Sequence, residues 1–479
     1  MSVWNLSGAA DYMDDEGTYT AQAFSVLEGE LAPYTYWYDH PPLGWIQLGG
    51  LAWLPDMLGL GDGSFIGTTR YAIAPFFVAT ALLIYLIARR LDIHRAFAAL
   101  GVAVFIFSPL SLVFGRSVYL DNIGATWLLL AFWMAISPRT ALWHHIGAGL
   151  FFALAVLSKE TLALFGPALM IALLNRPSWA NRKFSIVGFL AVGGIVLGFY
   201  PLTAILRGEL VPGPDHVSLQ EALEYQLMNR SGSGSIWDAD SNAAEHLRGW
   251  LNFDTHIIVA GLLAGLFCLM QRNTLWITVV LAFAALPVVS GRGYLPAMYI
   301  AAILPFLALS LSAGLNIAWG WLAKSMAYFG PEARSSPRQF GATYLAVGLL
   351  VMTGPQWFGP NKVLLTQEAN NDWTTTLQWV KTNVPREDTV VVPYVMWKDL
   401  SSAGRNDPWT VVATEKVDLD VEFLIENPRG SADIEWVVVG PFTRAAIESH
   451  GLTMVSQALE NSVEVKTVGA WSVHRIELD

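Results

Sequence analysis

Ten apolar runs separated by polar breaks constrain this chain more than any other feature. They cover Thr69–Ala88, Ala96–Phe114, Asn122–Ile136, Trp143–Leu157, Thr161–Leu174, Phe184–Leu206, Thr255–Met270, Thr274–Ser290, Leu295–Leu322 and Phe340–Trp357. A bilayer core is crossed by about 20 apolar residues of helix, because backbone groups in hydrocarbon must be satisfied within the segment. Only 14% of the residues are charged and 54% are hydrophobic, which excludes an ordinary soluble enzyme. The expected fold class is therefore mainly α, a polytopic transmembrane helix bundle. Cys268, the one cysteine, falls within an apolar run, so neither an intrachain disulfide nor a cysteine-based metal site is available.

Alternate loops hold the cations: Arg89, Arg90 and Arg95; Arg139; Arg176, Arg182 and Lys183; Arg272; Lys324, Arg334 and Arg338. The positive-inside rule makes these loops cytoplasmic. The opposite loops, including Met1 to Thr68 with no Lys or Arg, then lie outside. No apolar segment precedes this outer stretch to carry it across, so a further membrane helix upstream of Met1 is expected, the alternative being that the stretch is translocated unaided. The run Leu43–Leu60 is broken by Pro55-Asp56 and by Gly61-Asp62-Gly63. Were it a span, every later loop would invert. It reads instead as a helix lying in the outer interface, with Trp45 and Trp53 at headgroup depth.

The outer loops carry the chemistry-bearing residues. Asp14, Asp15 and Glu16 precede a run in which Tyr19, Ala23, Phe24 and Leu27 recur at helical spacing. Acids at a helix start ordinarily cap it and complement its dipole, but three exceed what one cap needs. His40 precedes Pro41-Pro42, where it can donate to a phosphate or shuttle a proton. Arg116 and Asp121 stand five apart in the second outer loop, and Lys159-Glu160 joins two apolar runs on the same face. Each pair can close on itself as an ion pair, or Lys159 can face a phosphate. Gly291-Arg292-Gly293-Tyr294 returns to that face with another cation.

Between Arg207 and Asp254 runs a long outer segment with a Ser231–Ser235 Gly/Ser stretch, suited either to a passive linker or to a lid. Asn229-Arg230-Ser231 within it fits an N-glycosylation acceptor. Residues 1–358 form the expected membrane domain. Residues 359–479 alternate helical patterns near Thr374–Thr382 and Arg444–His450 with strands at Thr389–Val392, Trp436–Val439 and Ser472–Ile476. That pattern predicts a small outer α/β domain of accessory or acceptor-recognising type, without a phosphate loop or nucleophile elbow.

Outer acids, outer cations and apolar helices beneath them suit transfer of a sugar from a lipid phosphate. The tail needs a membrane groove, the phosphate needs cations, and a carboxylate activates the acceptor hydroxyl. A transporter would place its ionisable residues near span centres. At Asp15-Glu16, His40-Pro41-Pro42-Leu43, Arg116 to Asp121 (RSVYLD), Ser158-Lys159-Glu160 and Arg292 to Pro296, the chain resembles membrane glycosyltransferases of the GT-C fold. The likeness is to the protein O-mannosyltransferase family (family 39) and its bacterial and archaeal relatives, over roughly Asp11 to Leu322.

The resemblance implies inverting transfer of mannose or another hexose from a polyprenyl-phosphate sugar to a hydroxyl, on protein Ser/Thr or on a lipid or envelope glycan. It implies Asp15 as base with Glu16 beside it, and Asp121 in the catalytic or acceptor site. His40, Arg116, Lys159, Arg292 and Tyr294 are the expected donor-binding set, with Asp14 and Glu160 as contributors. No cofactor is expected, although three clustered acids leave a divalent ion open. Membrane lipid is an expected partner and nucleic acid is not.

Overall fold

The computed structural model describes residues 3–29, 38–139, 141–175, 181–213, 216–230, 232–291, 293–328, 337–405 and 408–477. The chain opens with α1 (Asp14–Leu27) and α2 (Leu43–Met57), then enters the bundle. There follow α3 (Phe65–Arg90), α4 (Arg95–Phe107), α5 (Pro109–Arg116), α6 (Leu120–Ala135), α7 (Leu142–Ser158) and α8 (Gly166–Leu174), with a 3₁₀ turn at Glu160–Phe165 before α8. Next come α9 (Arg182–Leu197), α10 (Phe199–Arg207), α11 (Leu219–Glu224), α12 (Asn242–Cys268), α13 (Leu275–Ser290), α14 (Leu304–Tyr328) and α15 (Pro337–Thr366).

Among the described residues four helical stretches are long and apolar enough to cross a bilayer: Phe65–Arg90, Arg182–Arg207, Asn242–Cys268 and Ala297–Ser325. A fifth is the pair α4 and α5, bent by 63°. Pro109 explains the bend, since it lacks an N–H and disfavours helical geometry at Ser108; Ser108 Oγ recaps the second helix by accepting from Ser111 N at 3.3 Å. The expected spans at α6, α7, α8 and α13 are shorter apolar helices. The expected span Phe340–Trp357 is part of α15, which runs through the anticipated domain boundary to Thr366.

Small residues let the long helices meet. A Cβ on Gly314 of α14 would fall 2.6 Å from the Ala264 carbonyl of α12. Such close backbone approach is the usual basis of helix association in lipid, where burial from water contributes little. Aromatic stacking fills the centre: Phe132 lies on Trp276 with ring centroids 4.4 Å apart, and Phe306 meets Phe132 edge-on at 5.5 Å.

After α15 come α16 (Asn371–Asn383) and α17 (Tyr394–Ser401), around a five-stranded sheet. Its strands are β1 (Val390–Val392), β2 (Val411–Ala413), β3 (Trp436–Val439), β4 (Ser462–Val468) and β5 (Trp471–Ile476), in the order β2-β1-β3-β5-β4. β1 pairs parallel with β2 and β3, while β5 runs antiparallel to β3 and β4. Alternate residues of β1 enter different cores, Val390 and Val392 on one face and Val391 on the other. The first of these cores also contains Tyr12, Ala21 and Ile66 from the membrane part. The expected α/β unit is thus present, and it shares a hydrophobic core with α1 and α3.

Candidate active site

The first turn of α1 sends its three acids to three destinations, as the roughly 100° step per residue requires. Glu16 is fully buried. Its Oε1 accepts from Arg70 Nε at 2.9 Å and from Val118 N at 2.8 Å. Its Oε2 accepts from Arg70 Nη2 at 2.6 Å and from Met13 N at 3.3 Å. Arg70, equally buried, spends its remaining donors on the carbonyls of Leu6 (2.8 Å), Ala10 (2.9 Å) and Asp11 (3.2 Å). Every oxygen of Glu16 is therefore occupied by the fold. Asp14 turns the other way, where its Oδ1 accepts from Val395 N of α17 at 3.1 Å.

Asp15 is solvent-accessible, and the charged groups it feels most are Lys159, His40, Asp39 and Arg230. Protein walls thin its hydration and raise its carboxyl above the usual carboxylate range; Lys159 and His40 act against that shift. Lys159 and His40 are both buried, with Lys159 Nζ 2.9 Å from His40 Nε2. An ammonium offers no lone pair, so Nε2 accepts, which places the ring proton on Nδ1, 3.0 Å from Glu160 Oε2. Tyr19 Oη completes the group at 3.1 Å from Nε2. Asp121, in the first turn of α6, is 1% exposed, and its Oδ2 has no hydrogen-bond partner among the described residues. Buried polar atoms are ordinarily satisfied, so this oxygen is an exception to the rule.

The segment between Arg207 and Asp254 comes close to this group. Gln226 Nε2 donates to Asp39 Oδ1 at 2.7 Å, and its Oε1 accepts from Arg230 Nη1 at 2.7 Å. The Arg230 guanidinium lies 3.6 Å from the centroid of the Tyr294 ring. From the α/β unit, Glu415 comes close enough for Asp15 to push its carboxyl up, after burial and against the pull of His450.

Of the residues expected from the sequence, the fold brings Asp15, His40, Asp121, Lys159, Glu160 and Tyr294 to this end of the bundle. Arg116 is used elsewhere: its Nη2 donates to the carbonyls of Trp4 and Asn5, both at 2.6 Å, which clamps the N-terminal stretch. Arg292 lies outside the described residues, as does Ser231 of the glycosylation triplet. Among the described residues, no three His, Cys, Asp or Glu side chains are grouped to hold a metal ion.

Arg70, Gln226, Arg230 and Glu415 are missing from the sequence-derived set. Arg70 carried a signal, since an arginine inside an apolar run demands a partner. The others sit in polar stretches with no local pattern to mark them.

The whole architecture recurs among solved structures. ArnT from Cupriavidus metallidurans in the apo state aligns over 98% of this chain and 94% of its own, with TM-score 0.57 and 14% identity. The same protein bound to undecaprenyl phosphate gives TM-score 0.57 and 14% identity over 98% and 95%. The chain has the GT-C fold. The Archaeoglobus fulgidus oligosaccharyltransferase, also of GT-C fold, aligns over 94% of this chain and 68% of its own, with TM-score 0.56 and 13% identity. In sequence, residues 65–202 match the dolichyl-phosphate-mannose-protein mannosyltransferase family. No curated protein matches the chain. In GT-C terms the matched stretch runs from α3 to α10 and holds Arg116, Asp121, Lys159 and Glu160.

Proposed function

We propose that this chain is an inverting glycosyltransferase that moves a hexose, mannose in the first instance, from a polyprenyl-phosphate sugar to a hydroxyl acceptor on protein Ser/Thr. The observation carrying the reading is Asp15: an accessible carboxyl of raised proton affinity, close enough to buried Lys159 for that cation to oppose the rise. Asp15 takes the acceptor's proton as that oxygen bonds the anomeric carbon. The bond from that carbon to the phosphate oxygen breaks, and polyprenyl phosphate departs with the electron pair. Lys159 and Arg230 supply positive charge to the phosphate, and Asp121 Oδ2 accepts from a sugar hydroxyl. Glu16 and Arg116 hold the framework, and His40 with Glu160 orients Lys159. The lipid phosphate leaves already stabilised, so neither a general acid nor a metal is invoked.

ArnT bound to undecaprenyl phosphate and the match to the mannosyltransferase family both support a lipid-phosphate donor. The orientation that agrees with the loop charges puts Asp15 and the α/β unit on the extracytoplasmic side of a cell membrane. Along α3, Arg70 and Arg90 are 20 residues apart, about 30 Å of helix.

The test supplies radiolabelled polyprenyl-phosphate mannose to membranes holding wild type or Asp15→Asn. Label entering protein in an Asp15-dependent manner is expected, with a loss of about 10²–10⁴-fold in the variant. Label in glycolipid or envelope glycan would replace the acceptor. Full activity in Asp15→Asn would overturn the assignment.

A further inference from the structure

Helix α17 of the α/β unit touches α1 at both of its ends. At the start, Asp14 Oδ1 accepts from Val395 N at 3.1 Å. Val395 is the second residue of α17, whose N-cap is Pro393, a residue with no side-chain cap to offer. Asp14 therefore caps α17 from another part of the chain. At the other end, Lys398 Nζ meets Glu28 Oε1 at 2.8 Å, just past the last turn of α1.

Between these contacts the two backbones meet without side chains: a Cβ on Gly17 would fall 2.3 Å from the Tyr394 carbonyl. Ala21, one turn further along α1, is buried in the same core as Tyr394, Val395 and Trp397. The exchange is reciprocal, because Asp399 of α17 in turn accepts from Phe65 N, the first residue of α3, with both oxygens at 3.4 Å. Helix α3 carries Arg70, the partner of Glu16. One helix from the far end of the sequence thus grips the element bearing Asp15 and the element that anchors it.

We infer that α17 is a positioning clamp for α1: Asp14, Gly17 and Glu28 fix the helix against Val395, Tyr394 and Lys398, and thereby fix the direction of Asp15. The α/β unit then serves the reaction itself, whatever it also does for the acceptor. The role of Asp14 is positioning, since it reaches backbone and not substrate. The inference rests on Asp15 being the base, so it needs a readout independent of transfer.

Full-length protein in detergent is compared as wild type, Asp14→Ala, Asp14→Asn and Gly17→Ala, by amide hydrogen exchange over 14–28 and 394–401 and by transfer kinetics. Asp14→Ala and Gly17→Ala are expected to speed exchange in both helices. Both should lower kcat, up to about 10²-fold for a shift of an ångström, with donor KM little changed. Asp14→Asn keeps an oxygen for Val395 N and is expected to restore protection and most of kcat. Unchanged exchange in α1 for both Asp14→Ala and Gly17→Ala would overturn the clamp, whatever the activity. Faster exchange with undiminished kcat would overturn its bearing on Asp15. Loosened helices in a protein whose wild type transfers no sugar would uphold the clamp and remove the transferase reading.

Discussion

Two clusters only a residue apart in sequence show opposite ways of burying charge. Around Glu16 the groups are matched to saturation: a two-point guanidinium–carboxylate contact, closed by backbone donors and carbonyls, with no access for solvent. Around Asp15 the groups are deliberately unequal. Lys159 is held by imidazole and phenol nitrogen and oxygen instead of by a carboxylate, and Asp121 retains an unengaged oxygen. A saturated network defines shape; an unsaturated one keeps charge ready for a molecule that arrives later.

The comparison predicts different losses. The largest is in catalysis: Asp15→Asn should cost two to four orders of magnitude in transfer while its thermal unfolding stays at the wild-type temperature. Glu16→Ala should do the reverse, leaving the Arg70 charge buried alone at a cost of about 3–5 kcal/mol. Its signature is a lowered Tm and poor recovery of folded protein. A Glu16→Ala variant as stable as wild type would erase the distinction.

A smaller effect belongs to Arg230. Replacing it with Ala should raise donor KM about tenfold, within the range of a charge-assisted hydrogen bond, with kcat less affected. An unchanged KM would leave Lys159 as the cation that matters.

Smallest, and confined to the contacts of α17 with α1 and α3, is a pH effect. Burial raises both Asp14 and Asp399 to about 7, opposed by the bond from Val395 in the first case and by Lys381 in the second. Glu415 and Asp15 add to the rise for Asp14, and Asp62 adds to it for Asp399, which Lys398 also opposes. Unfolded aspartate titrates near 3.9, so between about 4 and 7 the folded protein binds more protons. The contribution of these groups is complete below about pH 4 and is lost as pH rises through about 7. Hydrogen exchange in 394–401 should accelerate over that window, and Asp14→Asn should flatten the response.

Local pattern made much of the fold legible. Strand β3 was marked residue for residue at Trp436–Val439, and the apolar run beginning at Leu43 is helix α2. Both depend on periodicity and flanking turn residues. The bundle followed from hydropathy, and the α/β unit from helical patterns alternating with short strand-like runs. The site was legible in part: acids and cations on alternate loops pointed to one end of the bundle. What sequence could not assign was partnership. Glu16 meets Arg70 across 54 positions and Asp14 meets Val395 across 381, and no periodicity encodes such pairs. Hence the neighbours Asp14, Asp15 and Glu16, alike on paper, separate into three different tasks.

The shared core of Tyr12, Ala21 and Ile66 with Trp373 and Trp397 also sets an order of events during synthesis. Tyr12 N donates to Asn370 Oδ1 at 2.9 Å, and Asn370 Nδ2 to Ser7 O at 2.7 Å, contacts spanning some three quarters of the chain. A ribosome has made the whole bundle before those partners emerge. Of the three acids of α1, Glu16 has its partners in Met13, Arg70 and Val118, all made early, whereas Asp14 must wait for Val395.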